Sequence, residues 1–328
     1  MTIAQATPPP RLQRSELAVP GNNTRFLEKA TRADADLILL DCEDSVTPAD
    51  KAAARANIVQ ALNDLDWGER VVSVRINGLD TPYMYRDLID IAERCQRLDM
   101  ILVPKVNVPA DLHLVATLLD QIERNAPRPR PIGLEALIET PLGLSNVEAI
   151  AGSSRRLEAM SFGAGDFAAA TRMRTTTIGG HHPDYGILAG GDEPRAFFLN
   201  DMWHYAQARL CVACRAHNLR PIDGAYGDFS DPAGYLAAAR RAAVLGFEGK
   251  WAIHPSQIPL ANEVFTPTES EVREARRITE ALAEAERQGR AAVTLDGRMI
   301  DIASIRMAEQ LLHKAERLGL AQGESPCP

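Results

Sequence analysis

Short apolar runs rich in β-branched residues recur along the chain from about residue 14 to 258. The runs that read as strands are ELAVPG, DLILLDCED, RVVSVRING, MILVPKV, IGLEALIET, LEAMSFGAGDF, RPIDGAYGD and GKWAIHP. Between them, residues 50–63, 82–97, 110–125, 201–217 and 231–245 return their apolar positions at helical spacing. Strands alternating with helices are the signature of parallel β/α units. Eight strands joined mostly by helices favour a closed (β/α)8 barrel, the TIM barrel, over an open doubly wound sheet.

The pattern changes near residue 265. Thr268 and Glu271 have capping-box spacing at a helix start, and Val272, Ala275, Ile278, Leu282 and Ala285 mark one apolar face behind them. A short VTLDGRMID stretch and a second helix, with Ile305, Ala308, Leu312 and Ala315 on one side, complete the segment. The expected division is a barrel domain, 1–265, and a small C-terminal helical segment, 266–328, outside the barrel.

Composition adds exclusions. The 328 residues are 45% hydrophobic and 24% charged, as in an ordinary globular protein, with a formal charge of −8 that argues against nucleic acid or an anionic membrane as partner. No apolar segment reaches the roughly 20 residues of a membrane span. The start, MTIAQATPPPRLQR, has no apolar signal core, so a cytoplasmic location is expected. The five cysteines are scattered and odd in number, and the lone Cys211-Val-Ala-Cys214 sits in a helical pattern, which favours packing over zinc or redox chemistry.

Active sites of such barrels lie at the C-terminal ends of the strands. There the sequence places Asp41, Glu43 and Asp44, Arg75 and Asn77, Lys105, Glu139, Asp166, Asp223 and His254. So many acids around so few bases suggest a shared cation, and oxygen ligands suit Mg²⁺ or Mn²⁺. Taken singly, each acid could equally cap a helix or pair with an arginine. Lys105 could be a rim ion pair, and His254 a satisfied loop residue. Asp166, between apolar neighbours in SFGAGDF, has two open readings: a metal ligand, or part of a Gly163-x-Gly165-x-x-Ala168 dinucleotide turn.

RSELAVPGNN, LLDCEDSVTPADK, VRINGLDTP, VPKV, LIETPLGLSNVEAIA, SFGAGDF and GKWAIHPSQI, in this order, resemble the citrate lyase β-subunit-like branch of the HpcH/HpaI aldolase superfamily. TTTIGGHHPDYGIL, LRPIDGAYGDFSD, ANEVFTPTESEV and DGRMIDIASIRMAE resemble its malyl-CoA lyases more narrowly, including those that accept β-methylmalyl-CoA. The resemblance implies a TIM barrel with a C-terminal lid that packs on a neighbouring subunit, in homotrimers or homohexamers. It implies reversible cleavage of L-malyl-CoA to acetyl-CoA and glyoxylate, or of β-methylmalyl-CoA to propionyl-CoA and glyoxylate. A malyl-CoA thioesterase on the same scaffold is the alternative.

Carried over residue by residue, Glu139 and Asp166 are the implied Mg²⁺ ligands, with Mn²⁺ possible, and Glu43, Asp44 and Lys105 stand around them. Arg75 is implied to clamp the glyoxylate carboxylate, with the Gly165–Asp166 backbone against the substrate. Lys29, Ile253 and His254 are implied to line the acyl-CoA site. Asn23 departs from the basic residue some relatives carry, and Arg25 is a candidate to replace that phosphate contact. Asp301 is the implied catalytic acid/base, entering the site of an adjacent subunit. The dinucleotide reading also fits its context poorly: the strand is sixth of eight, and Asp184, the acid about 20 residues on, lies in a Pro/Gly loop.

Overall fold

The computed structural model describes residues 11–190, 195–290 and 292–320. Along the chain it forms β1 (Ser15–Pro20), α1 (Thr24–Ala30), β2 (Leu37–Asp41), α2 (Lys51–Asp64), β3 (Val71–Arg75), α3 (Met84–Arg94), β4 (Met100–Val103) and α4 (Pro109–Asn125). There follow β5 (Gly133–Ile138), α5 (Pro141–Ser145), α6 (Val147–Ala151), β6 (Leu157–Phe162) and α7 (Ala164–Ala170). A hairpin, β7 (Gly186–Ala189) and β8 (Ala196–Leu199), precedes α8 (His204–Ala216), β9 (Arg220–Asp223), α9 (Pro232–Leu245), β10 (Gly249–Ala252) and α10 (Ile258–Phe265). Last come α11 (Glu269–Arg287), β11 (Val293–Leu295), β12 (Arg298–Ile300) and α12 (Ile302–Arg317).

Eight strands close a parallel barrel in the order β1-β10-β9-β6-β5-β4-β3-β2, the (β/α)8 fold. Their sequences show little alternation because both faces are covered: β2, β4, β5, β6, β9 and β10 are buried throughout. Leu37, Leu39, Met100, Leu102, Leu137, Ala159, Ile222 and Trp251 form one core cluster. Polar groups are also enclosed in the barrel's interior. Gln13 donates to Glu16 at 2.9 Å and Glu135 at 2.8 Å, and Ser161 donates to the other Glu135 oxygen at 2.6 Å.

Helix ends follow local chemistry. In α9, Asp231 accepts from the Gly234 N–H at 2.9 Å, Pro232 opens the first turn, and Gly246 closes the helix in the left-handed region. Cys211 and Cys214 are buried thiols on α8, which fits packing. No helix among the described residues is long and apolar enough to cross a membrane.

Two expectations need correction. The sixth strand does not run to Phe167: it stops at Phe162, and α7 begins at Ala164. The Ala-rich stretch after Gly163 has better helix than strand propensity. Asp166 therefore sits in the first turn of α7 with its side chain 40% exposed, and not buried between apolar groups. The Gly-rich region after Thr171, which reads as loop, contains the β7–β8 hairpin.

The chain divides into two compact units, with the break between Glu263 and Val264. In the C-terminal unit, Thr268 and Glu271 complete the capping box of α11, and Val272, Ala275, Leu282 and Ala285 are its buried face. Asp296 and Gly297 both have positive φ in the turn joining β11 to β12, a two-residue geometry that an Asp-Gly pair adopts readily.

Candidate active site

The strand ends gather five carboxylates around two cations. Asp41 ends β2 and Arg75 ends β3, and the two are directly paired in the parallel register. Arg75 gives its Nε to Asp41 Oδ1 at 2.7 Å and its Nη2 to Asp41 Oδ2 at 2.6 Å. Its Nη1 lies 3.0 Å from Glu43 Oε2 and 3.7 Å from Asp44, and the guanidinium stands over Trp251. Asp41 also accepts the N–H groups of Glu43 and Ser45, so one buried carboxylate shapes the loop carrying Glu43 and Asp44. Burial pushes the Asp41 carboxyl up, but Arg75 outweighs it and holds it below the usual range.

The fork of Arg75 is thus already engaged. The sequence reading gives that fork to a substrate carboxylate. In the structure the Nε/Nη2 edge belongs to Asp41, and Nη1 is the donor left facing the acids.

Lys105 follows β4 and is one of few non-glycine residues with positive φ among those described, at 51°. This conformation points its N–H at Glu139 Oε1, 2.9 Å away. Its Nζ pairs with Glu43 and lies 3.8 Å from Asp166. The neighbouring carboxylates raise its pKa despite partial burial.

Glu139 is only 2% exposed. Burial holds its carboxyl well above the usual range, and repulsion from Glu43 and Asp166 adds to this against the weaker pull of Lys105 and Arg75. Gly163 makes room for it: a Cβ there would stand 2.5 Å from Glu139 Oε2. Buried Glu43 Oε2 has no aligned hydrogen bond although Arg75 is near. This is an oxygen-lined, under-compensated cluster, and a hard divalent cation fits it. No group of three or more His, Cys, Asp or Glu side chains among the described residues forms a ready-made metal cage. Two carboxylates completed by water and substrate need none.

Other candidates separate from this cluster. Asn77 donates to Asp87 through backbone and side chain, tying β3 to α3. Asp223 pairs with buried Lys250 at 2.7 Å and accepts from Gln207. His254 accepts the Ser256 N–H and stacks on Phe229 at 4.7 Å. The Ile253 N–H is held by Gln257, and its side chain is 40% exposed. Arg25 and Lys29 are exposed on α1, whose N-cap is Asn23, so the departure at that position has a structural use. Gly165 lies in α7 beside Asp166.

Asp301 belongs to the C-terminal unit and caps α12, accepting the Ala303 and Ser304 N–H groups at 3.0 Å each. The Ser304 N–H and hydroxyl hold its carboxyl below the usual range. Sequence reading did not find the Asp41–Arg75 pairing or the Gly163 cradle. An acid closing one strand and an arginine closing the next were the available signal for the first.

Known proteins resemble this chain along most of its length. An L-malyl-CoA/beta-methylmalyl-CoA lyase of Cereibacter sphaeroides is 50% identical over 315 residues, covering 96% of this chain and 98% of that protein. A (3S)-malyl-CoA thioesterase of the same organism is 36% identical over 93% of this chain and 95% of its own length. A crystal structure of the CitE protein from Mycobacterium tuberculosis, in complex with magnesium, acetoacetate and coenzyme A, superposes with a TM-score of 0.70 at 28% identity, covering 93% of this chain and 98% of that one. The family model for HpcH/HpaI aldolase/citrate lyase matches residues 14–255, the whole set of barrel strands and the acid cluster at their ends. The chain belongs to the HpcH/HpaI aldolase/citrate lyase family.

Proposed function

We propose that this protein is a Mg²⁺-dependent carbon–carbon lyase that reversibly cleaves L-malyl-CoA to acetyl-CoA and glyoxylate, and β-methylmalyl-CoA to propionyl-CoA and glyoxylate. The observation that carries the reading is the under-compensated Glu139/Asp166/Glu43 cluster beside Arg75, in a chain 50% identical to a lyase of that name.

In cleavage the substrate hydroxyl loses its proton, its carbon becomes the aldehyde carbon of glyoxylate, and the C–C bond electrons pass to the thioester as an enolate. The enolate carbon then takes up a proton. Glu139 and Asp166 would hold the cation, with Glu43 close by. When bound, it supplies Lewis-acid charge that eases loss of the hydroxyl proton and stabilises the negative oxygen. Arg75, oriented by Asp41, offers Nη1 to the carboxylate end of the substrate. Lys105 holds Glu43 in place and presents its N–H to Glu139. Lys29, Arg25, Ile253 and His254 are the proposed acyl-CoA contacts, with the Gly165–Asp166 backbone against the substrate. Asp301 is the proposed acid/base, brought by the C-terminal segment of a neighbouring subunit in a trimer or hexamer.

The second reading, a malyl-CoA thioesterase, is favoured by the 36% identical relative. Incubation of the pure protein with L-malyl-CoA and Mg²⁺, with products identified by mass, separates the two. Acetyl-CoA with glyoxylate is the expected outcome; free malate with CoA overturns it.

Arg75→Lys keeps the charge and loses the planar fork. We expect kcat/KM for glyoxylate in the condensation direction to fall roughly tenfold to a hundredfold, the loss of about one charge-assisted hydrogen bond. The KM for acetyl-CoA should hardly move. Steady-state kinetics with each substrate varied checks the split, and equal effects on both would assign Arg75 a purely structural role.

A further inference from the structure

The mouth of the barrel is chemically divided. The ends of β2, β3, β4 and β5 bring Glu43, Arg75, Lys105 and Glu139, and α7 brings Asp166. On the side of β6, β9 and β10, which are neighbours in the ring, the segments that follow the strands carry Ile178, Phe229 and Ile253. These three apolar side chains are all exposed.

Ile178 borders the acid cluster directly. Its side chain abuts the first turn of α7: a Cβ added to Gly165, the neighbour of Asp166, would stand 3.6 Å from Ile178 Cδ1 and Cγ1. Backbone bonds, and not burial, fix its place. The Ile178 carbonyl accepts the Gly227 N–H at 2.9 Å. Gly179 has a φ of +77° and lies so close to the Ala225 carbonyl that a Cβ there would stand 2.5 Å from its oxygen. The Gly180 carbonyl accepts the indole N–H of the buried Trp203 at 2.7 Å. A Cβ at Gly227 would meet Ile178 Cβ at 3.1 Å, so Ile178 has no room to retreat towards the loop after β9. The result is an apolar side chain, 43% exposed, held rigidly beside a carboxylate.

A substrate cleaved here has the same division. Its hydroxy-acid end carries the oxygens that suit a cation and Arg75. The carbon across the scissile bond, the α-carbon of the acyl-CoA product, carries only hydrogen or carbon besides its carbonyl. It lies one bond from the hydroxyl carbon and so beside the acids, and Ile178 is the apolar surface adjoining them. We propose that Ile178 is a specificity-determining residue: a wall for the substituent on that α-carbon, with room for hydrogen or methyl and not for a longer chain. The proposal rests on the lyase reading. A wall fixed by backbone bonds discriminates by size because a larger group cannot displace it without strain.

The test is condensation of glyoxylate with acetyl-, propionyl- and butyryl-CoA, compared as ratios of kcat/KM. In wild type, butyryl-CoA should fall at least about tenfold below propionyl-CoA. Ile178→Ala, which removes Cγ1, Cγ2 and Cδ1, should raise the butyryl-to-acetyl ratio roughly tenfold or more. Ile178→Phe should lower the propionyl-to-acetyl ratio by about the same factor. A merely structural effect on Asp166 would depress all three substrates alike and leave the ratios unmoved. An unchanged ratio in either variant, or a wild type that takes butyryl-CoA as readily as propionyl-CoA, overturns the proposal and leaves the lyase reading standing. A wild type that condenses none of the three overturns both. Should either variant lose the far-ultraviolet circular dichroism of wild type, Ile178→Val decides in its place. Loss of Cδ1 alone should raise the butyryl-to-acetyl ratio about fourfold, and no rise overturns the proposal.

Discussion

Glu139→Ala and Asp166→Ala are each expected to lower turnover at least about 10³-fold, the loss of several kcal/mol of Lewis-acid stabilisation, with the barrel still folded. The structural reason for expecting intact folding lies in the electrostatics. Glu139 is buried, repelled by two neighbouring acids and held well above the usual carboxyl range, so without a cation it weakens the fold. Removing it should leave the melting temperature unchanged or raise it, the opposite of an ordinary core truncation. Asp166 is 40% exposed on its short helix, so its loss leaves no cavity. Calorimetric titration with Mg²⁺, or Mn²⁺ binding followed by electron paramagnetic resonance, should show the affinity lost in both variants. EDTA should abolish wild-type activity, and Mg²⁺ or Mn²⁺ should restore it. Full activity in a demetallated sample would refute the site.

How far the site is legible in sequence depends on whether its partners share a segment. The eight barrel strands are readable because parallel strands covered on both faces become unbroken apolar runs, as in LILLD and MILV. Glu139 and Asp166 can be picked out as acids following such runs. What they face cannot, because Glu43, Lys105 and Glu139 follow three different strands and Asp166 opens the helix after a fourth. Arg75 shows the cost. From sequence alone its fork is free for a substrate, yet the β2–β3 register sets it opposite Asp41, 34 residues earlier, which takes two of its donors. The start of α7 is hidden for another reason: Gly163 and Gly165 lower helix propensity where the chain turns, and the apolar SFGAGDF continues a strand-like run. The β7–β8 hairpin escapes because four-residue runs separated by Gly and Pro resemble loop.

Asp301→Asn is expected to lower kcat by about 10²–10⁴, the usual contribution of a positioned acid or base, without destabilising the protein. The two roles open to Asp301 make this substitution decisive. As a helix cap it accepts two backbone N–H groups of α12, and Asn caps about as well as Asp. An unaltered melting temperature together with lost activity therefore separates chemistry from capping. Asp301→Ala should lose both, with about 1 kcal/mol of stability gone with the cap. The proton carrier is sought away from the carboxylates that would hold the cation, because a bound divalent cation keeps them ionised. Asp301 in the structure is half-buried at the start of α12, and Ser304 holds its carboxyl below the usual range, so it rests ionised, as a base for the condensation direction requires. If it serves the barrel of a neighbouring subunit, inactive Asp301→Asn and inactive Glu139→Ala proteins should complement each other after subunit exchange. Hybrid pairs then unite one intact barrel with one intact C-terminal segment. Verified exchange with no recovered turnover would rule out action between subunits, and an Asp301→Asn enzyme with full activity would leave Asp301 as a cap alone.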